Sequence, residues 1–347
     1  MKYALIFLLV INSFVSLHAQ EVRKEKERII LSDDSCDKVF NMSQALAKWS
    51  VSTKSNKLCP LGTRSPKVNS VTKKCEYDIT DCVPDHVVTY HGANPKYAGP
   101  NCWNLALVMK AILPSLRYSG PEEMSFYMRP PLCRQLKNDE EKIPGDVGAI
   151  RDMTARSPEE YHGFIYISDD IAYSKNGFAN TSPFALQPLE KVLDIYQVPS
   201  MEECRSNELS FSNNCGKAIS YFRCVSMDEY LKKAEDLPSF FVNSLSSISS
   251  YEDCLQETTM KAIPVSTVAQ NNIVDALNAL SFYVGNEIQE TNRNPNPSVN
   301  FVIGSMKLRL EAIAKQLKFN NDENNSSEIS KFADRLRHNL NQLKGRR

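Results

Sequence analysis

Ten cysteines, none of them before residue 36, set the strongest limit on how this 347-residue chain can fold. Cys36, Cys59, Cys75 and Cys82 form one group, Cys204, Cys215, Cys224 and Cys254 form another, and Cys102 and Cys133 stand between them. Each group of four has the number needed for two disulfides, which an exported chain keeps oxidised. Four cysteines permit three pairings, so the connectivity stays open. No CxxC pair occurs and the five histidines are not spaced as ligands, so no metal is expected.

The N-terminus agrees with export. Lys2 precedes the apolar stretch Ala4 to Val10, and Leu17-His18-Ala19 closes residues 1–19, the plan of a signal peptide cleaved near Ala19. Asn12 and Ser13 interrupt the apolar run, which falls short of the roughly 20 residues that span a bilayer. The expectation is a secreted or periplasmic protein with no transmembrane span after cleavage. Loss of Lys2 leaves 40 basic residues against 41 acidic ones, a balance that gives no reason to expect nucleic acid as a partner.

The pattern divides the remaining chain into four parts. Residues 20–85 begin with the charged run Glu21 to Arg28, expected to be a solvated lead-in, and continue as a polar, turn-rich arm tied by the first cysteine group. Residues 86–200 change character. Gly99-Pro100-Asn101 makes a turn, Cys102 opens the apolar helix Trp103 to Leu113, and strands are expected at 146–151, 163–168 and 171–174. A helix followed by antiparallel strands is an α+β plan. Residues 201–262 hold the second cysteine group as an extension. The region 263–347 has apolar residues at helical spacing over 266–290, 298–319 and 327–344, and offers a surface for a partner protein.

Cys102 and His162 carry the chemistry. A cysteine attacks as its thiolate, which a helix N-terminus and a nearby imidazolium both favour. Cys102 starts the most apolar helix, and His162 stands immediately before the strand Gly163-Phe164-Ile165-Tyr166-Ile167, from which it could reach a helix end. Such a pair splits amide hydrolysis into acylation and deacylation and needs no cofactor. His86 and His91 are weaker candidates for the base. Ser174 and Asn176 share a face of the next strand, and either could accept the imidazole proton. The competing expectation is a Cys102–Cys133 disulfide, which would leave no nucleophile; with Cys102 free, Cys133 would be a spare thiol.

Three short stretches, Asn101-Cys102-Trp103-Asn104, Pro144-Gly145-Asp146 and His162-Gly163-Phe164-Ile165-Tyr166, give the central part a plan that resembles the NlpC family of papain-like cell-wall peptidases and amidases. The resemblance covers about 115 of 347 residues. It implies a papain-like core, a helix packed on an antiparallel sheet, between a disulfide-tied N-terminal region and a helical C-terminal one. It implies a cysteine hydrolase acting on cell-wall peptides, with Cys102 as nucleophile and His162 as base. Tyr97 and Trp103 would be substrate-binding. The family usually carries Asp-Cys-Ser-Gly around its nucleophile. The departure to Asn-Cys-Trp-Asn favours the alternative, an inactive papain-like scaffold serving as a secreted binding or structural protein.

Overall fold

A computed structural model describes residues 20–53, 59–61, 65–152, 159–199, 215–234, 237–274, 277–278 and 296–344. The expected signal segment and Cys204 lie outside them. The chain is α+β, built on two antiparallel sheets.

The charged lead-in is a hairpin, not a solvated tail. β1 (Glu21–Glu25) pairs with β2 (Arg28–Asp33), and β4 (Cys75–Asp78) and β3 (Lys67–Val68) extend the sheet in the order β1-β2-β4-β3. Ile29 and Leu31 are fully buried, and Arg23 reaches across the strands to Glu76 at 3.0 Å. The charges therefore decorate the outer strand of a half-buried sheet, a place where charge discourages further strand pairing. α1 (Cys36–Ser52), capped by the Ser35 hydroxyl, packs over this sheet through Val39, Met42, Leu46 and Trp49. The disulfides Cys36–Cys75 and Cys59–Cys82 close it, both within the first cysteine group.

The larger sheet runs β5-β10-β6-β7-β8-β9. Its strands are β5 (Cys133–Gln135), β6 (Val147–Asp152), β7 (Glu159–Tyr166), β8 (Ile171–Lys175), β9 (Phe184–Pro188) and β10 (Lys217–Cys224). β10 comes from beyond residue 200 yet lies between β5 and β6, so the central sheet is not confined to 86–200. Cys224 is the register partner of Cys133 and is bonded to it. That bond corrects two expectations at once. Cys133 is neither a spare thiol nor tied to Cys102, and the second group of four does not close on itself. Among the described residues the free cysteines are Cys102 and Cys254, while Cys215 is disulfide-bonded. These bonds suit an oxidising compartment.

Both faces of this sheet are covered. On one, α2 (Asp85–Tyr90), α3 (Cys102–Met109) and α4 (Pro121–Tyr127) join Ile165, Ile167, Ile171 and Tyr173 in the main core. On the other, α5 (Leu189–Ile195) packs with Ile150, Phe164, Tyr166 and Ala172. After α6 (Met227–Lys233), the long helices α7 (Ser239–Lys261), α8 (Pro297–Phe319) and α9 (Glu323–Lys344) enclose the first face. Arg117, fully buried, bonds Glu123 and Glu252 at 2.7 Å each, and Arg309 of α8 also pairs with Glu252. Two guanidiniums and two carboxylates thus neutralise one another where the C-terminal helices meet the core. No helix among the described residues is long and apolar enough to cross a membrane.

Candidate functional site

Cys102 occupies the first position of α3 because Asn101 stops the extended chain there. The Asn101 side chain accepts a bond from the Asn104 amide at 3.0 Å, an N-cap, and donates to Ser119 O at 2.7 Å. Asn104 in turn donates to Ser115 O at 3.2 Å and accepts from Arg117 N at 3.0 Å. Asn101 and Asn104 thus fasten the helix start to residues 115–119. They serve the frame of the site.

The opposite side of the site is a gap between strands. β7 and β8 pair at Ile165↔Tyr173 and Tyr166↔Ala172 and no further. Continuing that register sets Phe164 against Ser174, Gly163 against Lys175 and His162 against Asn176. Cys102 starts the helix that packs on this part of β7, and the backbone amides of Gly163, Trp103 and Cys102 favour its thiolate. A side chain at Gly163 would put its Cβ 2.4 Å from Cε3 of Trp103, so the glycine is what lets α3 come so close to β7. Trp103, expected to bind substrate, is buried at 6% exposure, much as Cys102 is at 5%. Tyr97 is anchored through its own amide and that of Lys96 to Thr259 O, at the end of α7.

His162 is fully buried. A register shift between Ile150 and Arg151 leaves Tyr161 as an extra residue just ahead of it, a bulge that re-aims the following side chain. Its ring shares the α5 face with Phe164 and stacks on Tyr196, centroids 4.0 Å apart. Neither ring nitrogen has a hydrogen-bond partner, so the imidazole does not bond the thiol in this state. The Asn176 Oδ1 is likewise buried and unpartnered. Ser174 differs, because its hydroxyl accepts a 2.7 Å bond from Gln187. Of the two candidates for orienting the imidazole, Asn176 is the one with an open acceptor.

Burial dominates the electrostatics here. It pushes the Cys102 thiol up to about 11, against the pull of the three amides and of Lys175. It pushes the His162 imidazole down to about 3. Both groups are therefore neutral at rest. Tyr196, the C-cap of α5, has its phenol raised by burial and by Cys102, against a smaller pull from the Gly177 amide. It stacks on the imidazole from the end of α5, beyond β9, and no motif announced it; its aromatic character at a helix end was the only signal.

The other histidines sit elsewhere. His91 accepts a bond from Leu186 N at 3.1 Å, which occupies its Nδ1. His86 lies between Tyr90 and Tyr173 and lines a cavity of about 620 Å³ with Trp49, Met109 and Lys110, at the end of α3 remote from the sulfur. Asp146 does what a turn carboxylate does, accepting from Ile143 N at 2.9 Å and pairing with Arg223 at 2.8 Å. Among the described residues no group of acids, histidines and cysteines is arranged to hold a metal ion. No family model, curated protein or solved structure matches the chain.

Proposed function

We propose that this protein is an exported cysteine hydrolase with a papain-like core, secreted or periplasmic, that cleaves amide bonds in cell-wall peptides. One observation carries the reading. A free thiol starts a helix packed on β7 and β8, and His162 and Asn176, which an extension of the β7–β8 register would oppose, both carry buried polar atoms without a partner. The cell-wall substrate class rests on the motif resemblance alone.

In this reading His162 acts on a neutral thiol. It removes the sulfur's proton as the sulfur attacks the scissile carbonyl, and the amide of Cys102 steadies the oxyanion. The imidazolium then protonates the departing amine, leaving a thioester on Cys102. Water, deprotonated by His162, hydrolyses the thioester and restores the thiol. Asn176 accepts a bond from the imidazole N–H and holds the ring toward the sulfur.

A second reading, an inactive scaffold that binds a partner, draws support from the 5% exposure of Cys102 and from the missing thiol–imidazole bond. Purified mature protein incubated with peptidoglycan sacculi separates the two. The hydrolase releases new amino groups and its Cys102→Ala variant does not; equal release by both, or none by either, contradicts the proposal.

A further inference from the structure

Lys175 is the last residue of β8 and its side chain is fully buried. An ammonium removed from water normally sits beside a carboxylate, because an unpaired buried charge is costly. Here no salt bridge among the described residues includes it. Its Nζ donates instead to two carbonyls of the following turn, Gly177 O at 3.1 Å and Ala179 O at 2.8 Å, and stands 5.8 Å from the centre of the Phe184 ring. Three donors are available to an ammonium, so one remains without a partner among the described residues.

The position of this cation is specific. Extended register sets Lys175 opposite Gly163, whose amide favours the Cys102 thiolate, and on the face of the sheet that α3 covers. His162 and Asn176 occupy the other face. The ammonium and the sulfur thus share the α3 face, and in the hydrolase reading the imidazole meets the sulfur only through the gap between β7 and β8.

We propose that Lys175 is the built-in counter-ion of the Cys102 thiolate, an electrostatic positioning residue that makes the developing sulfur anion tolerable in a dry site. It touches no substrate and acts through the sulfur. This inference rests on the hydrolase reading above. The neighbouring titratable groups are compatible with it: Tyr196 at the end of α5 feels Cys102, His162 stacks on Tyr196 from the other face, and Glu123 of α4 is committed to Arg117. None of these supplies a second cation at rest. Burial draws the lysine down to about 8 while the thiolate would raise it, the reciprocal of the lysine's downward pull on the thiol.

The experiment compares two alkylating reagents of similar size, anionic iodoacetate and neutral iodoacetamide, on the native protein, with modification of Cys102 and Cys254 followed separately by peptide mass mapping. A cation beside the sulfur favours the anionic reagent, so the iodoacetate-to-iodoacetamide rate ratio should be several-fold higher at Cys102 than at Cys254 in the same molecule. In Lys175→Met that ratio should fall to the Cys254 value, and iodoacetamide alkylation at pH 8 should slow about tenfold for each unit by which the thiol pKa rises. Lys175→Arg should keep both properties. A lysine that merely braces the 177–179 turn would leave the ratio unmoved, and equal ratios at the two cysteines of the wild-type protein overturn the inference even should Lys175→Met not fold. Failure of Cys102 to react with either reagent in the native protein removes the nucleophile itself and with it the hydrolase reading.

Discussion

At the Cys102 sulfur, burial raises the cost of ionisation while three amides and one ammonium lower it, and burial wins in the resting state. Such a thiol is protected from casual oxidation, and in the proposed reaction it would need its base at the moment of attack. If His162 is the base as proposed, Asn176 and Ser174 should differ in what they contribute. Asn176→Ala should lower kcat/KM about 10-fold or more with little change in melting temperature, since its Oδ1 bonds nothing else. Ser174→Ala should leave kcat/KM within about twofold and cost stability of about 1 kcal/mol through the lost Gln187 bond. Steady-state assays and denaturant melts of the two variants check the division. Gly163→Ala tests the packing beneath them. Its new methyl meets Trp103, and the variant should lose about 1–3 kcal/mol in a urea melt.

Elements carry the next level of the account. α3 is buried almost all round, so its placement depends on every layer around it, and α8 reaches it through the Arg117–Glu252–Arg309 cluster. Burial alone would raise the Glu252 carboxyl, but the two guanidiniums overcome this and hold it below the usual range. Glu252→Gln would leave two buried guanidiniums facing one carboxylate, and the expected loss is about 3–5 kcal/mol of unfolding free energy. The local pattern of the sequence was enough to find the start of α3, the strands β6, β7 and β8 and the helices α8 and α9, because turns and apolar periodicity are local signals. The helix expected over 266–290 lies largely outside the described residues, and β9 was not foreseen. It was not enough to see that β10 enters between β5 and β6, or that Cys224 pairs with Cys133 across 91 residues of chain. Non-local pairing leaves no mark on either partner. The hairpin of β1 and β2 was hidden for a different reason, since its exposed edge is dressed in charge that reads as a lead-in. In the candidate site, Cys102 at the helix start and His162 at β7 were legible singly from turns and strand pattern, whereas Tyr196 comes from a helix whose docking no motif encodes.

For the molecule as a whole, buried histidines tie stability to pH. His86 and His91 are drawn down to about 4 and His162 to about 3, each first by burial. In the unfolded chain they titrate near the ordinary value of about 6.5. Below that value the unfolded state binds more protons than the native one, so the stability they contribute is whole above about pH 6.5 and drains away as the pH falls toward 4 and 3. Denaturant melts between pH 7 and 4 should show stability falling with a slope that approaches about 1.4 kcal/mol per pH unit for each histidine, and His162→Phe should remove one such contribution. The central claim, that the Cys102 thiol attacks with His162 as its base, is tested most directly by trapping the acyl group. Mature protein mixed with an activated peptide ester should gain one acyl group, located on Cys102 by peptide mapping, and His162→Ala should suppress that acylation at least about a hundredfold. An acyl group found on Cys254, or one formed on Cys102 as fast without the imidazole as with it, would contradict the account.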